Sequence, residues 1–172
     1  MKGPKPPKDY TEVVQAPDTV QARVIAVVHS PFTERHGTPR QPLRSQGQES
    51  GIANGTVELV KSLSTDFLAD LDSFSHIWLL PWFHLNGPRK RPFVNPPRGG
   101  PRRGVLSTRA PHRPNPLGLS VVELLSIEGR VLHVRGLDLI DGTPILDIKP
   151  YIPDYDAWPD ASRGWLEGMP NR

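Results

Sequence analysis

The chain has 172 residues, a net charge of +3 and no cysteine. Its length predicts one domain with a core of ordinary size. Without cysteine there is no disulfide framework, no thiolate nucleophile and no iron–sulfur cluster. No stretch approaches the roughly 20 apolar residues of a membrane span. The lysines and prolines of residues 1–8 are not followed by the apolar region of a secretory signal, so a cytoplasmic location is expected.

Strands dominate the predicted elements, because the 21 prolines and 15 glycines of the chain disfavour long helices. Apolar and β-branched runs predict strands over residues 20–28, 56–60, 76–84, 105–108, 119–127, 130–137 and 145–148. One or two helical turns are expected over residues 66–71, with Thr65 or Asp66 as the N-cap. Residues 86–104 are interpreted as a loop, and a last turn is expected near Trp165.

The connections between these strands indicate a barrel. Glu128-Gly129 separates two strands in the manner of a hairpin turn, and Pro81 requires a bulge if its strand is central. No helix of the length that parallel crossovers need lies between the strands. We therefore predict a mainly β fold, a compact single-domain β-barrel with short helical turns and long loops rich in proline and glycine. A mobile tail at residues 1–18, the barrel at 19–153 and a C-terminal extension at 154–172 complete the expected organisation.

The positive charge of the chain is concentrated in one region. Between Asp72 and Glu123 there is no acidic residue, whereas the remainder of the chain carries 13 basic and 18 acidic residues. Eight basic residues occupy what we call the cationic segment, residues 89–113: Arg89, Lys90, Arg91, Arg98, Arg102, Arg103, Arg109 and Arg113. A cationic region on an otherwise acidic protein attracts a polyanion. The alternative interpretation is a solvated loop that improves solubility.

Two proline-rich loops are candidates for binding. In TRAPHRPNPLG, residues 108–118, three prolines hold the backbone from which Arg109, His112, Arg113 and Asn115 project. Such a frame loses its conformational entropy on folding, so little is lost on binding; a structural turn with solvated arginines is the alternative. The loop of residues 39–42, PRQP, offers stiffened donors in the same way, although a plain loop explains it equally well.

Other motifs carry weaker signals. The sequence DLIDGTP, residues 138–144, is favoured as a tight turn, and its two carboxylates would also suit a cationic ligand. His29, His76 and His84 are interpreted as core histidines. No histidine pair has metal-ligand spacing, so no metal is predicted, and there is no glycine-rich dinucleotide motif, P-loop or nucleophile elbow.

Several blocks, in order along most of the chain, together resemble the TsaA-like family, also called YaeB-like or TrmO-type. These blocks are VHSPF from Val28, GTPRQ from Gly37, FSHIWLL from Phe74, WFH from Trp82, TR from Thr108, RPNPLG from Arg113, LDLIDGTP from Leu137 and DIKPY from Asp147. The resemblance implies a compact barrel that dimerises and binds S-adenosylmethionine without a Rossmann fold. It also implies N6-methylation of threonylcarbamoyl-adenosine at position 37 of threonine tRNA.

The resemblance also implies the residues that contact the cofactor. Carried over to matching positions, they are Pro39, Arg40, Gln41, His84, Leu85, Arg109, Leu119, Asp138, Leu139, Ile140, Asp141, Gly142 and Thr143. The predicted RNA contacts come from the cationic segment: Arg89, Lys90, Arg91, Arg98, Arg102, Arg103 and Arg113.

Methyl transfer from a sulfonium requires alignment of donor and acceptor. The acceptor nitrogen must also lose a proton, so a base or a water path is needed. Asp138, Asp141 and Tyr151 are the nearest guesses for that base. Two other functions remain open: a methyltransferase of a small molecule with the same cofactor site, and a non-catalytic RNA-binding barrel.

Overall fold

The computed structural model describes residues 17–39, 41, 52–87, 91–97 and 99–169. It contains eight strands in this part of the chain: β1 (Ala26–His29), β2 (Asn54–Leu59), β3 (His76–Pro81), β4 (Phe93–Val94), β5 (Arg103–Gly104), β6 (Ser120–Glu128), β7 (Val131–Arg135) and β8 (Pro144–Pro150). Six strands close into a barrel in the order β1-β2-β7-β6-β3-β8, and β4 and β5 form a separate ribbon. All pairings in the barrel are antiparallel. The predicted mainly β barrel is confirmed.

Helical structure in the described residues is limited to short elements. These are the 3-10 helices Thr65–Leu68, Leu71–Ser73, Val105–Ser107 and Gly164–Leu166, and the single-turn helix α1 (Pro153–Asp156). The turn expected near Trp165 is confirmed. The cap of the first 3-10 helix differs from the prediction, because Ser64 and not Thr65 or Asp66 occupies the N-cap position and accepts a hydrogen bond from the Asp66 amide.

The core lies inside the barrel and follows the two-residue alternation of the strands. Inward-facing apolar side chains are almost completely buried on each strand of the barrel, as Val28, Val57, Ile77, Val122, Leu132, Val134 and Ile145 illustrate. Closure pairs every barrel strand on both sides, which satisfies its backbone groups and removes the exposed edges on which sheets aggregate.

The β6–β7 hairpin confirms the prediction from Glu128-Gly129. Gly129 adopts a φ of 60° in the turn, a conformation that glycine adopts without steric cost. The next residue, Arg130, reaches across to the chain after β2, where its guanidinium donates to the carbonyls of Val60 and Leu63 at 3.1 and 2.5 Å. The turn is thereby tied to the rest of the barrel.

Pro81 ends β3 at a bulge, as its position predicts. The register between β3 and β8 shifts between Leu80 and Pro81. Beyond the bulge the chain pairs with the end of the proline-rich loop, since Trp82 bridges to Leu117 and the Phe83 amide donates to the Pro116 carbonyl at 2.7 Å. This pairing places residues 82–85 beside residues 116–119. Both segments contain residues that the family resemblance implies to contact the cofactor.

Gly118 allows this close approach. A Cβ atom built on it would lie 2.5 Å from Cζ of Phe83 and 2.7 Å from Cγ of Pro81. We therefore expect Gly118→Ala to lower the free energy of unfolding by about 1–3 kcal/mol, the usual cost of overpacking. Urea denaturation measures this change. Gly87→Ala is the control, because a Cβ there meets no atom within 4 Å; equal stability of the two variants would contradict the steric explanation.

The first strand is shorter than predicted. β1 begins at Ala26, whereas the apolar run from residue 20 led us to expect a strand over residues 20–28. Val20 and Val24 are 82% and 42% exposed. Pairing with β8 involves Ala26 and Val27, and before them the Ile25 amide donates one hydrogen bond to the Ile145 carbonyl at 2.8 Å. An apolar run forms a strand only where another strand can receive its hydrogen bonds.

Residues 105–108, predicted as a strand, form a 3-10 helix instead. The Thr108 hydroxyl donates to the Val105 carbonyl at 2.8 Å, and the Ser107 hydroxyl donates to the Gly104 carbonyl at 2.8 Å. These local side-chain bonds compete with strand pairing. Conversely, the ribbon of β4 and β5 lies within residues 86–104, which were interpreted as loop.

The histidines predicted as core residues are exposed. His29 and His76 lie at outward-facing positions that alternate with buried neighbours, and His84 lies in a turn. The His29 ring lies between Glu58 and Asp141, with its Nε2 3.3 Å from Oε2 of Glu58. Proximity to an apolar run was a poor guide because the strand alternation, and not the composition of the run, decides which side chains are buried.

The expected division into tail, barrel and extension stays a prediction. Of the tail at residues 1–18, only Pro17 and Asp18 lie within the described residues. The extension is represented by α1 and the last 3-10 helix, whose Trp165 indole donates to the Ser107 carbonyl at 2.8 Å. No helix in the part of the chain described is long and apolar enough to cross a membrane.

Candidate functional site

Four polar residues from three separate regions of the chain converge at one end of β6. Nη1 of Arg109 donates to Oε1 of Gln41 at 3.2 Å. The positive charge of Arg109 lowers the pKa of the Asp138 carboxyl group. The hydroxyl of Ser120 donates to Oδ1 of Asp138 at 2.7 Å. We call Gln41, Arg109, Ser120 and Asp138 the Arg109 cluster. Three of its members were predicted cofactor contacts, and tertiary structure brings them together across as many as 97 positions of sequence.

Asp138 has an unusual environment for a carboxylate. It is half-buried, and this burial raises the pKa of its carboxyl group from 3.8 to about 6. The hydrogen bond from Ser120, a backbone hydrogen bond and the positive charge of Arg109 oppose the rise. A carboxyl group with a pKa near 6 is ionised at neutral pH and is a stronger base than an ordinary aspartate.

Ser120 was missed by the sequence analysis, although a signal was present. It is the first residue of β6 and is 2% exposed. The inward positions of this strand continue with Val122 and Leu124. A buried hydroxyl at the first of several inward-facing positions that are otherwise apolar requires a hydrogen-bond partner. The partner of Ser120 is Asp138.

The proline-rich loop of residues 108–118 is held by hydrogen bonds within the loop and to residues outside it. Nη1 of Arg113 donates to the carbonyl of Thr108 at 2.6 Å and, more weakly, to that of Val105 at 3.4 Å. The Gly118 amide donates to the Pro81 carbonyl at 2.8 Å. Arg109 is exposed within this frame. Its side chain therefore extends from a fixed backbone, whereas one nitrogen of Arg113 is already used inside the loop; the RNA contact predicted for Arg113 stays a prediction.

The turn after β7 is attached to the end of β1. The Ser30 hydroxyl donates to the Leu139 carbonyl at 2.7 Å, and Oδ1 of Asp141 accepts from the Ser30 amide at 3.0 Å. Gly142 has a φ of 74°, which agrees with the favoured interpretation as a tight turn. Leu139 and Thr143 are buried. The cofactor contacts predicted for these two residues stay predictions.

Of the other predicted cofactor residues, Arg40 lies outside the described residues, whereas Leu85, Leu119 and His84 lie at the surface. Leu85 and Leu119 are 66% and 48% exposed, and His84 is exposed beside Leu85. Pro39 is half-buried and follows Thr38, whose hydroxyl donates to the Glu34 carbonyl at 2.6 Å.

Two of the guesses for the base lie outside the Arg109 cluster. The Tyr151 ring packs on Trp78, with ring centroids 5.6 Å apart. Asp141 binds the Ser30 amide and approaches His29. Asp138 alone of the three guesses belongs to the cluster.

The predicted RNA contacts are partly described. Arg89, Lys90 and Arg98 lie outside the described residues. Arg102 is exposed, and its guanidinium carbon lies 5.3 Å from the centroid of the Phe93 ring. Arg103 is half-buried, with its guanidinium carbon 5.1 Å from a Trp165 ring centroid. Within the described ranges, no group of three or more histidine, aspartate or glutamate side chains is arranged to hold a metal ion.

Comparison with known proteins identifies the family. The model of the tRNA-methyltransferase O N-terminal domain matches residues 27–157. The chain belongs to this family. The resemblance seen in the sequence blocks is therefore confirmed, and the matched range includes the six barrel strands except for the first residue of β1.

Relatives of this tRNA-methyltransferase O family member extend over most of its length. It is 40% identical over 159 residues to the tRNA (adenine(37)-N6)-methyltransferase of Escherichia coli, covering 87% of this chain and 65% of that protein. It is 43% identical over 145 residues to a probable S-adenosyl-L-methionine-binding protein of Pyrococcus abyssi, covering 84% of this chain and 75% of that one. A crystal structure of TrmO from Pseudomonas aeruginosa superposes with a TM-score of 0.71 at 40% identity, covering 89% of this chain and 65% of that chain. The chain thus spans about two thirds of the length of the E. coli and P. aeruginosa proteins.

Proposed function

We propose that this family member is an S-adenosylmethionine-dependent methyltransferase that acts on N6 of threonylcarbamoyl-adenosine at position 37 of tRNA. The observation that supports this most strongly is the Arg109 cluster. In it the half-buried carboxylate of Asp138 has a raised pKa and feels the positive charge of the Arg109 guanidinium. Relatives that are about 40% identical are named as tRNA (adenine(37)-N6)-methyltransferases.

The residues of the cluster suit S-adenosylmethionine chemically. This ligand carries a carboxylate, an ammonium group, an adenine and a sulfonium that supplies an activated methyl group. The Arg109 guanidinium fits a carboxylate because its planar donors match two oxygens. The negative charge of Asp138 favours a cationic partner. The exposed side chains of Leu85 and Leu119 offer apolar surface to an adenine.

We propose that Asp138 is the base that accepts the proton lost by the acceptor nitrogen. When bound, S-adenosylmethionine would supply the methyl group from its sulfonium, and the carboxylate of Asp138 would take the N6 proton as the new carbon–nitrogen bond forms. Ser120 orients this carboxylate through its 2.7 Å hydrogen bond. The raised pKa of about 6 makes Asp138 a better proton acceptor while leaving it ionised at pH 7.5.

The cationic segment is proposed to bind the phosphates of the RNA. Arg102 and Arg103 lie on or next to β5, and each phosphate neutralised by such a side chain releases a bound counterion. We expect the double variant Arg102→Ala, Arg103→Ala to weaken tRNA binding and to reduce the slope of log affinity against log salt by roughly one to two units. Titrations at several salt concentrations measure the slope. Affinity for S-adenosylmethionine should stay unchanged, and an unaltered salt slope would place the phosphates elsewhere on the protein.

Incubation with methyl-labelled S-adenosylmethionine and total tRNA tests the proposed function directly. Label is expected in a methylated threonylcarbamoyl-adenosine after nuclease digestion and mass spectrometry. Label in a metabolite extract but not in RNA would instead support a methyltransferase of a small molecule. RNA binding together with no calorimetric signal for S-adenosylmethionine would support a non-catalytic RNA-binding barrel.

We also propose that the protein is a cytoplasmic homodimer. The apolar side chains exposed in the paired segments after β3 and before β6, namely Leu85, Leu117 and Leu119, would be partly covered by a second copy. Analytical ultracentrifugation distinguishes the dimer from a monomer.

A further inference from the structure

The ribbon of β4 and β5 carries a cleft within the cationic segment. The cleft has a volume of about 330 Å³ and is lined by Arg91, Phe93, Asn95 and Arg102. None of these residues belongs to the Arg109 cluster or to the cofactor contacts implied by the family. Its lining combines two cations, an aromatic ring and an amide, and none of the described residues that line it is acidic.

The lining has the chemistry of a site for a nucleotide. The Phe93 side chain is 47% exposed, and the Arg102 guanidinium carbon lies 5.3 Å from its ring centroid. Unpaired bases in RNA stack on aromatic rings and on guanidinium planes. The amide of Asn95 has both donors and an acceptor for the edge of a base, and the charges of Arg91 and Arg102 suit its phosphate.

The ribbon that carries the cleft is also held in place by contacts that do not line the cleft. Arg103 follows Arg102, and its guanidinium stacks on the ring of Trp165 with a separation of 5.1 Å. The Trp165 indole in turn donates to the Ser107 carbonyl at 2.8 Å, and the Val105 amide donates to the Pro92 carbonyl at 2.8 Å. Arg103 therefore packs against Trp165 of the C-terminal extension, whereas the guanidinium of Arg102 lies over the Phe93 ring. A site ordered in this way loses little conformational entropy when a ligand binds.

We propose that this cleft binds one unpaired nucleotide of the substrate RNA, with its base stacked on Phe93 and its phosphate between Arg91 and Arg102. The inference rests on the proposed function, since RNA must be the substrate. It adds a contact that recognises single-stranded RNA, beyond the attraction of the cationic segment to any phosphate chain.

The test is binding of an anticodon stem–loop RNA to the full chain carrying single substitutions. Phe93→Ala is expected to raise the Kd by about five- to a hundredfold, the usual loss for one stacked base. Phe93→Tyr should restore binding, because the aromatic face is kept. Phe67→Ala is the matched control, since Phe67 is 74% exposed on the first 3-10 helix, outside the cationic segment, and it should leave the Kd unchanged.

Salt dependence separates stacking from charge. Phe93→Ala should keep the wild-type salt slope because a phenyl ring displaces no counterion, whereas Arg102→Ala should reduce it by roughly one unit. A blunt duplex of the same stem should bind Phe93→Ala as well as it binds wild type. Thermal unfolding checks each variant, and Phe93→Leu, which keeps an apolar side chain, replaces Phe93→Ala if that variant unfolds.

Two results would overturn the cleft as a nucleotide site: an unchanged Kd for Phe93→Ala, or equal loss of stem–loop and duplex binding. Either result with a wild-type protein that methylates tRNA would leave the proposed function intact. A wild-type protein that transfers no methyl group to tRNA would instead overturn the proposed function itself.

Discussion

Replacing Asp138 by asparagine is expected to lower the single-turnover rate of methyl transfer to tRNA by about a hundredfold or more, the usual contribution of a positioned base. Asparagine preserves the shape of the side chain and can still accept the hydrogen bond from Ser120, but it cannot take a proton. The loss should therefore appear in the rate at saturating S-adenosylmethionine and tRNA. If Asp138 served only to bind the cofactor, the loss would disappear at saturation.

The pH dependence of the wild-type rate gives an independent measurement. Because Asp138 acts in its ionised form and its pKa is about 6, the rate should rise through pH 6 and level off above pH 7. Ser120→Ala removes a hydrogen bond that lowers this pKa, so its profile should shift to higher pH. A flat wild-type profile between pH 5 and 8 would exclude Asp138 as the base.

Stability measurements on Asp138→Asn show whether this variant folds and whether the raised pKa belongs to Asp138. The folded-state pKa of Asp138 lies above the unfolded value, so the folded protein binds the proton more tightly. The stability associated with this proton is present below about pH 4 and is lost as the pH rises through about 6. Asp138→Asn should remove this part of the pH dependence and should be at least as stable as wild type at pH 8.

Arg109→Ala is expected to weaken S-adenosylmethionine binding by about ten- to a hundredfold, the range for one hydrogen-bonded ionic contact. The guanidinium extends from the frame of residues 108–118 and already lies within the Arg109 cluster, so little ordering is needed on binding. Isothermal titration calorimetry measures the change.

Arg91→Ala is the matched control for this prediction. It removes the same charge from the same cationic segment, but Arg91 lines the ribbon cleft and not the Arg109 cluster, so its affinity for S-adenosylmethionine should equal that of wild type. Equal weakening by both substitutions would show that the cofactor pocket has been misplaced. Since Arg109 lowers the pKa of Asp138, the residual activity of Arg109→Ala should also require a higher pH.

The barrel was predictable from the sequence because its strands obey local rules. The hairpin at Gly129 follows from the backbone preference of a single residue and was correctly predicted, and the register shift beside Pro81 meets the condition that this proline sets for a central strand. Local composition failed to predict strands where the available hydrogen-bond partner decided the structure. Residues 20–25 have the composition of a strand, yet the pairing of β1 with β8 begins only at Ala26, and residues 105–108 bond to their own neighbours.

The amino-acid sequence by itself determined the fold class, the location of the positive charge and the blocks that carry the family resemblance, because these depend on composition, on local periodicity and on motifs contiguous in the chain. Tertiary structure alone decided which residues meet. Gln41, Arg109 and Asp138 are far apart in sequence and converge only when the chain between β1 and β2, the loop before β6 and the turn after β7 come together. The same packing buries Asp138 beside Ser120 and so raises its pKa. Burial of a single polar side chain depends on the elements around it, and no local pattern in the chain contains that information.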